Sequence, residues 1–145
     1  MNAFELLKQD HVAVTKLLAE PCSYADMRRR FQQIRDAIQM HVHIEERIFY
    51  PKLQSLDNLK ELVRDAKEQH ALINQLLDDM QNQQGQEFEK NFQTLKGEVQ
   101  LYITSEEHEI FPHAEKLKTP SWAQLGNEME TAKAEYQAVH KSSSH

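Results

Sequence analysis

Six side chains able to bind metal, His11, His41, Glu45, His70, Tyr102 and Glu106, recur at spacings that a set of helices would bring together. Four of them fall in two near-copies, HVHIEERIFYP at 41–51 and YITSEEHEIFP at 102–112, each running to a Glu-Glu pair and then a hydrophobic pair closed by Pro. On that frame Glu45 aligns with Glu106, and His41 with Tyr102. Each carboxylate follows its partner by four residues, so on a helix the two share a face one turn apart. Mixed imidazole and carboxylate donors suit iron, manganese or zinc, whereas magnesium prefers oxygen alone.

Such residues must be held by rigid elements, and the chain is written for helices. Only three Gly and four Pro occur in 145 residues, among abundant Leu, Glu, Gln, Lys and Ala. Apolar stripes at 3–4 spacing predict helices over about residues 3–19, 26–53, 59–84 and 86–117. Pro21 stops the first. Thr119-Pro120 supplies an N-cap and a Pro at the first helical position for a fifth helix from 121, and the tail KSSSH is expected to be disordered. The expected fold is all-α: an up-down-up-down four-helix bundle over 1–118, with an additional C-terminal amphipathic helix and tail over 119–145.

Heights follow from counting, because in antiparallel neighbours residues equidistant from the turn lie level. The midpoints of His41 with His70 and of His70 with Tyr102 fall at the predicted turns. That of His11 with His41 falls at residue 26, just past the first break. Three His and one Tyr therefore share a layer, with Glu45 and Glu106 one turn further on. A single His in an apolar stripe is more often a hydrogen-bonded core residue, and Tyr102 alone would be ordinary core. Two carboxylates in one buried layer resist that reading, since burying an uncompensated charge costs several kcal/mol and the pair repels. A pair of cations relieves both.

His43 and His108 point away from the seam by helical geometry. His113 is the one spare His within reach of it. Glu46, Glu107 and Glu109 are expected in solvent or orienting a ligand His, Glu109 being the first candidate for promotion. The net charge of −6 disfavours nucleic acid or anionic lipid as a partner. The lone Cys22 excludes an internal disulfide, and no stretch is long and apolar enough to span a bilayer, so a cytoplasmic protein is expected. The fifth helix carries Trp122, Leu125, Met129, Ala132, Tyr136 and Val139 in a stripe that packs on the bundle or forms a dimer contact, leaving monomer or homodimer open.

DHVAV with His11, HVHIEERIFYP with His41 and Glu45, EQHALI with His70, and EEHEIFP with Glu106 together resemble the hemerythrin-like, or HHE cation-binding, domain over about residues 1–118. The resemblance implies a non-haem di-iron centre bridged by Glu45 and Glu106 and by an oxo or hydroxo group; the donors alone accept manganese or zinc as well. Tyr102 stands where the family usually has a His. Asn74 stands where hemerythrins proper carry a further iron-binding His. Asn74, Glu109 and His113 are the additional or supporting candidates. With two terminal ligands per metal, each iron keeps an open position for peroxide, dioxygen or nitric oxide. A phenolate from Tyr102 favours iron(III) and disfavours reversible dioxygen carriage. The expected activity is a reaction with peroxide or dioxygen, catalase-like or related; the alternative is a module that binds or senses oxygen, nitric oxide or iron without turnover.

Overall fold

A computed structural model describes residues 1–19, 23–53, 56–118 and 120–143, and every regular element among them is helical. Helix α1 (Ala3–Ala19) opens on a capping box: Asn2 Oδ1 accepts from the Glu5 N–H at 2.9 Å, and Glu5 Oε1 from the Asn2 N–H at 3.2 Å. Helix α2 (Tyr24–Ile44) is capped by Ser23, which accepts from the Asp26 N–H. The helical path then widens into a π turn (Glu45–Phe49) and tightens into a 3-10 turn (Tyr50–Lys52). Helix α3 (Asp57–Met80) is followed by α4 (Gly85–Ser105), a second π turn (Glu106–Ile110) and the short α5 (Phe111–Glu115). Helix α6 (Trp122–Ser143) completes the chain.

Some boundaries differ from expectation. Helix α3 stops at Met80 because Gln81 to Gln84 offer nothing apolar to the seam; Gly85, at φ 61°, then turns the chain into α4. The cap of α6 is Ser121, whose Oγ accepts from the Gln124 N–H, so Pro120 lies before the helix and is not its first residue. The tail is helical through Ser143, further than the serine run suggests. Cys22, Thr119 and residues 144–145 lie outside the described residues.

The π turns have a common cause. In each, the residue just before a Pro donates its N–H five residues back: Tyr50 to the Glu45 carbonyl, Phe111 to that of Glu106. Pro51 and Pro112 have no N–H to give and crowd the carbonyl four residues earlier, and a widened turn accommodates them.

Helix α1 packs on α2 and α4, and α3 on α4 and α2, which closes the up-down-up-down ring. Helix α6 lies outside it, over α1, α2 and the first π turn. Its Leu125 and Met129 join the core, and Gly126 lets the N-terminus cross closely. An aromatic floor underlies the bundle at this end, where Phe4, Phe49 and Phe111 meet edge-to-face at 5.4–5.9 Å and Trp122 covers Phe4 at 4.7 Å.

Candidate metal centre

The layer expected from the heights exists. His11 and His41 have ring centroids 4.9 Å apart, His70 and Tyr102 4.7 Å, and Tyr102 lies 6.0 Å from His11 and 6.2 Å from His41. Below it sit Glu45 and Glu106, 0% and 1% exposed. Each opens a π turn that closes on the residue five further on, Tyr50 after Glu45 and Phe111 after Glu106. Both rings are buried against the layer, Tyr50 stacked on His70 and Phe111 on His11.

The three imidazoles are oriented alike. His11 Nδ1 meets Glu107 Oε2 at 2.6 Å, His41 Nδ1 meets Asp10 Oδ2 at 3.2 Å, and His70 Nδ1 meets Glu46 Oε2 at 2.8 Å. A carboxylate only accepts, so each Nδ1 carries the proton and each Nε2 is turned inward. His11 Nε2 lies 3.0 Å from Glu106 Oε1; Glu45 Oε1 lies 3.0 Å from His41 Nε2 and 3.2 Å from His70 Nε2. Tyr102 reaches both carboxylates, donating to Glu45 Oε1 or, at 2.7 Å, to Glu106 Oε2. Tyr50 donates to Glu106 Oε2 at 2.5 Å and lies 3.2 Å from the Tyr102 hydroxyl.

Burial acts on every ionisable group here, and the neighbours decide the outcome. Glu106 is pushed up to about 8 by burial and by the charge of Glu45. Burial would also raise Glu45, but the charge of His41 and hydrogen bonds from Glu106, His41 and His70 hold it well below its ordinary value. Burial would lower the histidines, yet the Glu45 charge and Asp10 carry His41 well above 6.5, and the neighbouring Glu45 and Glu46 carboxylates carry His70 to about 9. Asp10 is held low against burial by His41 and Lys133. Tyr50 is driven well above its usual value by burial and the charges of Glu106 and Glu45, so it remains a proton donor.

The donor set fits a metal. Glu45 Oε2, His70 Nε2, Asn74 Oδ1 and Glu106 Oε1 are buried without a hydrogen-bond partner, although His70 Nε2 lies 3.2 Å from Glu45 Oε1 and Glu106 Oε1 lies 3.0 Å from His11 Nε2. Close approach without hydrogen-bond alignment is what donors show when they aim at a shared point and not at one another. His11, His41 and Glu106 bring ligand atoms within 4.8 Å of one another, the span one ion can bridge. Glu45 Oε1 lies within 3.2 Å of the Nε2 atoms of both His41 and His70.

Of the supporting candidates, Asn74 contributes one of the unpartnered buried oxygens. Glu109 and His113 are exposed: Glu109 accepts from Ser105 Oγ at 3.3 Å, and the His113 ring bonds the Glu109 carbonyl. The second π turn takes Ile110 and Phe111 into the core and leaves these two outside. His43 packs beside Tyr136 of α6 at 5.0 Å, away from the layer. Sequence reading missed Asp10 and Tyr50. Asp10 was legible as an acid beside His11 on a buried stripe; Tyr50 was not, because a uniform α-helix would have turned it aside.

The two halves of the bundle match beyond the repeat. Glu46 and Glu107 hold the His of α3 and α1, and Tyr50 and Phe111 stack on those same rings at 5.7 and 6.1 Å. Asp10, which precedes His11 and holds His41, corresponds to Gln69, which precedes His70 on the side of Tyr102. The half that has Tyr102 opposite His41 thus has Gln69 opposite Asp10, in keeping with a phenol having no Nδ1–H to donate to a carboxylate.

Residues 2–114 match the family model of the hemerythrin HHE cation-binding domain. The crystal structure of a hemerythrin HHE cation-binding domain-containing protein from Mycobacterium kansasii is similar in fold, with a TM-score of 0.81 and 20% identity over 96% of this chain and 89% of that one. The likeness therefore extends beyond the bundle into α6. No curated protein matches the chain.

Proposed function

The chain belongs to the hemerythrin HHE cation-binding domain family, and from that premise we propose that it is a non-haem di-iron protein that reacts with peroxide or dioxygen, with catalase-like disproportionation of peroxide as the leading activity. His11, His41, Glu45, His70, Tyr102 and Glu106 would be the residues that hold the metal. The observation that carries this reading is the uniform setting of the imidazoles, each anchored through Nδ1 to a carboxylate and aimed through Nε2 at two buried glutamates. Outer partners of that kind fix the tautomer of a ligand His and raise its basicity.

When bound, a pair of irons supplies the two-electron storage that disproportionation of peroxide requires. The chain supplies the rest. The layer carries a small chamber of about 20 Å³ on its aliphatic side, walled by Val14, Ile38, Val42, Ile73, Val99 and Ile103. That is room for a water-sized molecule. Its apolar walls favour small neutral species such as peroxide, dioxygen or nitric oxide over anions. Tyr50 keeps a proton on its hydroxyl, 2.5 Å from Glu106 Oε2, where it can steady that carboxylate through changes in charge. As a phenolate, Tyr102 would supply a hard anionic donor, which would favour iron(III).

Elemental analysis and an oxygen electrode test the proposal together. About two irons per chain with prompt oxygen release from hydrogen peroxide support it. Two irons without oxygen release point to the binding or sensing reading, and no bound metal overturns both.

A further inference from the structure

Helix α6 lies beyond the residues that match the family model, yet one of its side chains touches the support of the metal layer. Lys133 Nζ contacts Asp10 Oδ1 at 2.5 Å, and Asp10 Oδ2 accepts from His41 Nδ1 at 3.2 Å. We propose that Lys133 is a positioning residue for the metal centre, locking the Asp10 carboxylate in the orientation that aims His41 inward. The inference rests on the metal-binding reading above.

The three imidazole supports are not equivalent. The side chains of Glu46 and Glu107 are 39% and 29% exposed, so water can solvate whichever oxygen the histidine does not use, and among the described residues neither has a Lys or Arg partner. The Asp10 side chain is 9% exposed, and its second oxygen is bonded to Lys133. Without the lysine that oxygen would be left buried and unpartnered, at a cost that rotating the carboxylate toward solvent relieves. The same rotation draws Oδ2 away from His41. The Lys133 side chain is itself only 27% exposed, and α6 is held in register by Leu125, Met129 and the close crossing at Gly126. Among the described residues no equivalent exists on the other side of the pseudo-symmetric layer, where Gln69 and Tyr102 stand.

Cobalt(II) titration of metal-free full-length protein, with a chelator as competitor, tests this. Lys133→Met, which keeps the aliphatic stem, should weaken cobalt(II) binding about tenfold, the lower end of what loss of a ligand's outer partner costs. Lys133→Arg should restore most of it. In the cobalt(II) protein, one of three exchangeable imidazole N–H resonances should broaden or vanish in Lys133→Met and return in Lys133→Arg. Unchanged affinity and three intact resonances in Lys133→Met, with only a lower Tm, would make Lys133 a mere anchor for α6 and overturn the inference. Failure of the wild-type chain to bind cobalt(II) would instead overturn the metal-binding reading and this inference with it.

Discussion

The Nε2 atoms of His11 and His41 face each other across 3.2 Å, while the Nδ1 of each ring is tied to a different carboxylate. Two ring nitrogens so placed need a proton or a metal between them and the glutamates below. Protons and metal therefore compete for one site, and metal binding should release protons.

That competition gives the metal-free chain a defined pH dependence. Glu106 stands at about 8 against an ordinary 4.5, so its protonated form stabilises the fold fully below 4.5 and less as pH rises through 8. His70 stands at about 9 against 6.5, so its contribution is complete below 6.5 and lost as pH rises through 9. The two losses add, and Tm of the metal-free chain should fall steadily from about pH 5 to pH 9. Glu45 and Asp10, both held low, act in the opposite sense and lose their contribution on acidification. Iron should flatten the alkaline fall. Thermal melts across this range, with and without chelator, check it, and a flat metal-free profile would contradict it.

Replacing Glu106 by Gln should separate stability from binding. The amide removes the carboxylate that burial penalises, so metal-free Glu106→Gln should gain on the order of 2–3 kcal/mol at neutral pH, which is several degrees in Tm. It should also lose most of its iron. Calorimetry beside metal analysis reads both, and a destabilised, fully loaded variant is the opposite result.

Tyr102→Phe removes a phenol that bonds both glutamates. If Tyr102 is an iron(III) ligand, the ferric protein has a visible charge-transfer band that this substitution abolishes, and oxygen release from peroxide drops at least tenfold, the order of one lost transition-state contact. An unchanged spectrum removes Tyr102 from the ligand set.

Tyr50→Phe makes the contrasting case, since Phe111 occupies the matching place in the other half. It removes a donor from Glu106 Oε2 but leaves Tyr102 beside that oxygen, so about 1 kcal/mol of stability should be lost. The charge-transfer band should shift slightly and persist. Its loss in Tyr50→Phe would exchange the roles of the two tyrosines.

Gly126→Ala tests the seating of α6. A Cβ there would lie 2.3 Å from the Met1 carbonyl oxygen and 2.8 Å from the Asn2 carbonyl carbon, both backbone atoms. The N-terminus or α6 must shift, at a cost of about 1–3 kcal/mol, visible as a lower Tm in chemical or thermal denaturation.

Much of this protein was legible in its sequence, because helical periodicity and the distance of each residue from a turn are properties of the chain alone. The stripes of His, Glu and Tyr in α1 to α4, and the equal heights of His11, His41, His70 and Tyr102, follow from 3.6-residue geometry and antiparallel pairing. The support of the site was not legible in the same way. Tyr50 reaches Glu106, and Glu109 and His113 stay outside, because two prolines widen the preceding turns and change the register by a residue. Asp10 meets His41, Glu107 meets His11 and Glu46 meets His70 across helix boundaries that no single stripe encodes. Lys133 enters only through the docking of α6, which a hydrophobic stripe predicts as packing without saying against which face. Local periodicity placed the donors in one layer; the packing of neighbouring helices decided which of them are held and by what.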